Sequence, residues 1–145
     1  MKMYTCTFFG HRNAPSCLNK TLGTIIENLI NDGVKTFLVG NNGKFDSYVL
    51  SNLRRLKIKY PEISYEIVLS KIPATRDLRY DVAETVLPDG IENTLPRFAI
   101  NKRNLWMIKN SDVVISYVTS TGGAAKFTEI ARKSGLKVIN IAEML

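Results

Sequence analysis

Apolar residues alternate along the chain with polar turn segments, and this pattern predicts strands and helices in turn. Short apolar runs predict five strands, at residues 4–9, 35–39, 64–69, 112–117 and 137–141. Helices are predicted between them at residues 18–31, 46–59, 97–110 and 124–133; the pattern is clearest in 18–31, where apolar residues stand three and four positions apart. Gly33 and Gly135 follow the first and last helices, where a terminating glycine is common.

Strands that alternate with helices are typical of a parallel sheet covered on both faces. We therefore predict an α/β, Rossmann-like fold with about five parallel strands, in a single domain over residues 1–145. Residues 70–96 carry three prolines and no clear period, so they are predicted to be a long loop. Loops of this length are often functional, for example as lids.

In sheets of this kind, ligands bind beyond the carboxyl ends of the strands, near the point where the strand order reverses. Three glycine-containing loops are expected there, at residues 10–12, 40–46 and 119–123. The sequence therefore points to one ligand site assembled from these loops.

The loop of residues 119–123 has the composition of a phosphate cradle. Gly122 and Gly123 would let a ligand approach the backbone at the N-terminus of the next helix, where free N–H groups attract anions. The hydroxyls of Thr119, Ser120 and Thr121 would add donors. The loop matches neither the P-loop nor the dinucleotide-binding glycine pattern, and a simple tight turn is the alternative.

The loop of residues 40–46 also follows a predicted strand. Gly40 and Gly43 frame it, and Asn41 and Asn42 are common turn residues. Asp46 would either face a ligand or cap the following helix through its carboxylate. We count Gly40, Asn41, Gly43 and Asp46 as candidate ligand-binding residues.

The third loop holds Gly10, His11 and Arg12 at the end of the first strand. A histidine and an arginine at this edge could clamp an anion, and an ordinary surface turn is the alternative. The net charge of +7 likewise favours an anionic partner. The densest basic cluster is predicted late in the second helix, where basic residues also complement the helix C-terminus; it comprises Arg54, Arg55, Lys57 and Lys59.

Several classes of protein and site are disfavoured by composition. No apolar run approaches the roughly 20 residues of a membrane helix, and no signal peptide is recognisable, so a cytoplasmic protein is expected. Cys6 lies within a predicted buried strand and Cys17 outside it, so a disulfide between them is not expected. With one histidine and no paired cysteines, a His/Cys zinc site has too few ligands, so no metal site is predicted. No cofactor is expected either.

Two stretches resemble the SLOG superfamily, which is named after the Smf/DprA DNA-processing proteins and the Lonely Guy phosphoribohydrolases. Residues 103–112 match a helix and strand of that family through Arg103, Ser111 and Asp112. Residues 122–129 match its glycine loop through the two glycines and Glu129, although Ala125-Lys126 stands where the family has Gly-Thr. Residues 40–46 are similar to an Smf-type loop, and residues 7–12 to a small stand-alone bacterial and phage branch.

The resemblance implies three functions. The first is binding of a nucleotide or nucleotide-derived small molecule, for sensing or sequestration without catalysis. The second is hydrolysis of an N-glycosidic bond in a nucleoside monophosphate, with Arg103 and Glu129 as the catalytic pair. The third is DNA binding, as in the Smf relatives. Relatives often dimerise, so the resemblance also implies a homodimer.

Overall fold

The computed structural model describes residues 3–145. Its strands are β1 (Thr5–Gly10), β2 (Thr36–Val39), β3 (Ser64–Val68), β4 (Thr85–Val86), β5 (Val113–Tyr117) and β6 (Lys137–Asn140). The helices are α1 (Leu18–Asn31), α2 (Lys44–Lys59), α3 (Pro96–Lys109) and α4 (Gly123–Lys133). Short 3-10 turns occur at Val82–Glu84, Ile91–Asn93 and Ile141–Glu143.

The six strands form one sheet in the order β4-β3-β2-β1-β5-β6, and all neighbouring strands pair in parallel. The α/β, Rossmann-like architecture predicted from the sequence is therefore confirmed. Alternation along β1 turns Phe8 toward the core shared with α1 and α2, and Phe9 toward the core shared with α3 and α4. Both faces of the sheet are thus covered, which explains why its central strands are apolar throughout.

The one strand that was not predicted, β4, lies in the segment of residues 70–96, for which no regular structure was expected. That expectation is corrected by β4, which pairs with β3 through Thr85 and Val86, and by two 3-10 turns. A strand of two residues is too short to produce a readable alternation in the sequence. Pro96 begins α3 and so belongs to the helix, at a position where its missing N–H costs nothing.

Glu84 fastens this segment to the body of the domain. Its carboxylate accepts two hydrogen bonds from Arg54, both of 2.9 Å, and one of 2.6 Å from the Tyr65 hydroxyl. It also accepts a bond from the backbone N–H of Asp81. The hydrogen bonds from Arg54 are the main reason why the pKa of Glu84 is lowered to about 2. The segment is therefore anchored to α2 and β3.

The basic cluster late in α2 is engaged within the protein. Arg54 holds Glu84, and Lys59 forms an ion pair with Glu27 at 2.6 Å between Nζ and Oε2. Arg55 donates to the Asn52 side-chain oxygen. Lys57 donates to backbone carbonyls just beyond the helix, which is the C-terminal role that its position predicts. These side chains stabilise the fold through internal contacts and do not form an unpaired basic surface for binding a nucleic acid.

Within residues 3–145, no helix is both long and apolar enough to cross a membrane.

Candidate functional site

A cleft of about 360 Å³ opens at the carboxyl ends of the strands. It lies near the place where the strand order reverses, since the chain runs outward from β1 to β4 and then returns to pair β5 with the other side of β1. Its walls come from the loops after β1 and β2, from α3 and from the first turn of α4. Parallel α/β sheets commonly bind ligands at this position.

The structure brings seven of the residues predicted from the sequence together in this cleft. They are Gly10, His11, Arg12, Gly40, Asp46, Arg103 and Gly123. Sequence reasoning missed other lining residues, mainly on α3 and α4: Ile100, Asn101, Asn104, Met107, Ala124 and Phe127. Their helical positions had no distinguishing signal, because one face of a helix looks like core until the neighbouring loops are placed.

Two of the predicted glycines allow the first two loops to touch. A Cβ at Gly10 would stand 2.2 Å from the ring of Phe45, a fully buried side chain at the start of α2. Gly43 has φ +94° and a Cβ there would stand 2.6 Å from the Cα of Arg12. The backbone N–H of Lys44 donates to the Arg12 carbonyl at 2.7 Å. The role of Gly10 and Gly43 is therefore close packing of the two loops.

Arg103 lies in the floor of the cleft with only 3% of its surface exposed. Its Nη1 donates to the Asn41 side-chain oxygen and to the Val68 carbonyl, each at 3.2 Å, and its Nε donates to Asn104 at 2.9 Å. With its amide oriented to face the guanidinium, the Asn42 oxygen accepts from Nη2 at 3.1 Å. Burial lowers the pKa of Arg103, with the negative charge of Asp46 opposing this effect.

These contacts make Arg103 a positioning residue for the loop after β2. Most of its five donors are already taken by neutral oxygens of the protein. No carboxylate within residues 3–145 forms a direct ion pair with it. Its positive charge therefore remains uncompensated at contact distance and contributes a positive field to the cleft.

Asp46 lies in the first turn of α2 and is half-buried beside Gly40. Its Oδ2 accepts the backbone N–H of Asn42 at 2.9 Å. A Cβ on Gly40 would stand 3.0 Å from this oxygen and 3.2 Å from Nη1 of Arg103, so the glycine keeps both groups close. Burial raises the pKa of Asp46 to about 6, although the Asn42 N–H and the two nearby arginines, Arg103 and Arg12, favour the carboxylate.

The N-terminus of α4 is open toward the cleft. Gly122 precedes the helix with φ +132°, and no side chain caps the first turn. Gly123 and Ala124 line the cleft, and a Cβ at either glycine of the pair would meet nothing within 4 Å. Within the described part of the chain, the N–H groups of Gly123 and Ala124 donate to no protein acceptor. These amides are placed to bind an anion.

The residues Thr119, Ser120 and Thr121 are exposed and do not line the cleft. The backbone N–H of Thr119 donates to Nε2 of His11 at 3.0 Å, and the His11 ring lies edge-on to Tyr117. This bond fixes His11 as an acceptor at Nε2 and ties the β1 loop to the β5 loop. The three hydroxyls predicted as phosphate donors are therefore not brought to the cleft.

Glu129 also lies outside the cleft. Its carboxylate forms an ion pair with Arg132 at 2.5 Å, and half of its side chain is exposed. Helix α4 turns Phe127, Thr128 and Ala131 toward the interior, which leaves Glu129 on the outer side. The structure therefore does not bring Arg103 and Glu129 together, as the predicted catalytic pair requires.

Comparisons with known proteins identify the fold. No protein-family model matches the sequence, and no curated protein matches it. DNA processing protein A from Helicobacter pylori, whose structure was described for its single-stranded DNA binding mode, has a similar fold, with a TM-score of 0.65 and 15% identity. The match covers 93% of this chain and 63% of that chain, so this protein spans less than two thirds of its neighbour's length.

At this identity the similarity establishes the fold alone. It is consistent with the SLOG-like resemblance of the sequence, because the neighbour is a DprA protein. The chain is thus a Rossmann-like α/β protein with a cleft at the carboxyl edge of its sheet.

Proposed function

We propose that the cleft binds a phosphate-bearing nucleotide or a nucleotide-derived small molecule. The observation that carries this proposal is the convergence of cationic and N–H groups on one cleft. Arg12 extends into solvent at the cleft, and its guanidinium has no hydrogen-bond acceptor within residues 3–145. The amides of Gly123 and Ala124 supply donors, and buried Arg103 adds a fixed positive charge.

The remaining walls suit the rest of a nucleotide. Ile100 is 38% exposed and offers an apolar surface against which a base can lie, and the nearly buried Met107 and Phe127 line the cleft beside it. The volume of about 360 Å³ is within the range of small-molecule sites. An anion-binding end combined with an apolar wall favours a nucleotide over an inorganic anion.

The alternatives have weaker structural support. Hydrolysis by the predicted pair requires Arg103 and Glu129 in one site, and Glu129 lies elsewhere. Binding of a nucleic acid strand is favoured by the net charge and by what is described for the structural neighbour. The basic cluster of α2, however, is engaged in internal contacts. We therefore propose sensing or sequestration of a small ligand.

Thermal unfolding with a panel of nucleoside mono-, di- and cyclic phosphates and ADP-ribose tests the proposal. A ligand at 100 times its dissociation constant should stabilise the protein by about 2.7 kcal/mol. Arg12→Gln should weaken binding roughly tenfold or more, because a charge-assisted contact to phosphate is lost. Mass spectrometry of small molecules released from the denatured protein would identify a ligand that survives purification.

The matched control is Arg76→Gln, which removes an exposed arginine from the segment of residues 70–96, away from the cleft. It should leave ligand binding unchanged. The proposal fails if no member of the panel shifts the unfolding temperature, or if both arginine variants weaken binding equally.

A further inference from the structure

Asp46 is the one acidic residue among those that line the cleft within residues 3–145. A carboxylate repels a phosphate group, so the phosphate of a bound nucleotide is expected at the α4 amides, which follow β5 on the other side of β1 from the Asp46 loop. The first turn of α4 offers free N–H donors, whereas Asp46 offers an acceptor, with Arg103 and Arg12 nearby.

The carboxylate of Asp46 keeps acceptor capacity for a ligand. Its Oδ2 accepts the Asn42 N–H, and its Oδ1 has no donor in the part of the chain that the structure describes. Neither Arg12 nor Arg103 is close enough to form a direct ion pair with it. A carboxylate can accept about four hydrogen bonds, so at least two sites remain for donors from the ligand.

The surroundings of Asp46 suit sugar hydroxyls better than a base. The neighbours of Asp46 are polar, namely Asn42 and Arg103, and Gly40 packs so closely that a Cβ there would stand 3.0 Å from Oδ2. The accessible apolar surface that a base requires lies on the α3 side, at Ile100. Two adjacent hydroxyls of a ribose can both donate to one carboxylate, whereas a 2′-deoxyribose offers only one of them.

We propose that Asp46 accepts hydrogen bonds from the ribose hydroxyls of the ligand, so that the cleft selects ribonucleotides over 2′-deoxyribonucleotides. This inference rests on the proposed function and names the class of nucleotide that the site takes. Arg103 holds Asn41 and Asn42 of the loop after β2, and the Asn42 N–H in turn holds Asp46, so these contacts would position Asp46 for the ligand.

The test compares the affinities of matched pairs, AMP with dAMP and the equivalent pairs for the other three bases, by calorimetry at pH 7.5. The parent protein should bind the ribonucleotide of the best pair roughly 10- to 100-fold more tightly, the range expected for hydrogen bonds to a charged acceptor. Asp46→Asn should reduce this ratio to a few-fold or less. Asp32→Asn changes the same residue type at the opposite end of β2, and it should preserve the ratio.

Equal affinities of the parent protein for ribo- and deoxyribonucleotides would overturn the inference and leave the proposed function standing. A ribose preference that survives Asp46→Asn would also overturn it. So would a loss of base selectivity, shared by both sugar series, in that variant, because Asp46 would then read the base. Absence of binding by all eight mononucleotides would refute the inference together with mononucleotide binding itself.

Discussion

Asp46 is held in surroundings that favour its protonated form. Burial raises its pKa to about 6, whereas the pKa of an unfolded aspartate is about 3.9. Between these pH values the folded state binds more protons than the unfolded state, so stability falls as pH rises through this window. Above about pH 6 the full cost of the buried carboxylate is present. A half-buried charge kept at this cost is typical of functional sites.

Asp46→Asn should therefore stabilise the protein at neutral pH. The free energy of unfolding should rise by up to about 3 kcal/mol at pH 7.5 and by well under 1 kcal/mol at pH 4, as the pKa difference dictates. The asparagine keeps an oxygen that can accept the Asn42 N–H. Urea unfolding of parent and variant at both pH values measures the effect. A gain of equal size at pH 4 and pH 7.5 would show that the carboxylate is not the cause.

The two glycines at the start of α4, Gly122 and Gly123, differ in whether they tolerate a side chain. Gly122 has φ +132°, a conformation that other residues adopt only with strain, so a side chain there would disturb the backbone. Gly123 has no positive φ and has open space at its Cβ position. Gly123 is therefore the better place to block the helix terminus without disturbing the fold.

Gly123→Val should weaken binding of a phosphate-bearing ligand by tenfold or more, because the side chain would cover the amides of the first turn. The free energy of unfolding should change by less than about 1 kcal/mol, since valine is no worse than glycine in a helix. Titration calorimetry and urea unfolding measure the two quantities. Ala125→Val, two residues further on and outside the cleft lining, is the control. If both variants bind like the parent, the glycine pair is only a turn.

At the scale of the whole molecule, the charge of +7 acts on any polyanion, whether or not it enters the cleft. Binding through scattered surface charges releases counterions from a nucleic acid and weakens steeply with salt. Binding of one nucleotide in a cleft with directed donors depends much less on salt. The salt dependence therefore separates the two modes.

We expect the affinity for a single-stranded 30-nucleotide oligothymidylate to fall by at least about 10²-fold between 50 and 200 mM NaCl. The affinity for the best mononucleotide should change by only a few-fold over the same range. Fluorescence anisotropy with a labelled oligonucleotide, and competition by the mononucleotide, measure both. Oligonucleotide binding that persists at 200 mM NaCl and is displaced by a mononucleotide would show instead that a nucleic acid strand occupies the cleft.

The alternation of strands and helices was readable from the sequence because each element is defined by a local period of apolar residues. The parallel sheet follows from that alternation, and a site at its carboxyl edge follows from the parallel sheet. Residues directly after β1 and β2, such as Arg12 and Gly40, were therefore predictable members of the cleft. The two residues of β4 were not, because they are too few to show a period.

Tertiary structure alone decided what each of these residues contacts. Gly10 and Gly43 are needed where two loops meet, and sequence spacing cannot show how closely those loops approach. The family resemblance predicted Arg103 and Glu129 as a catalytic pair, but the rotation of α4 about its axis places Glu129 on the outer surface. That rotation is set by the burial of Phe127, Thr128 and Ala131 against the sheet, a packing result that depends on side chains far apart in the chain.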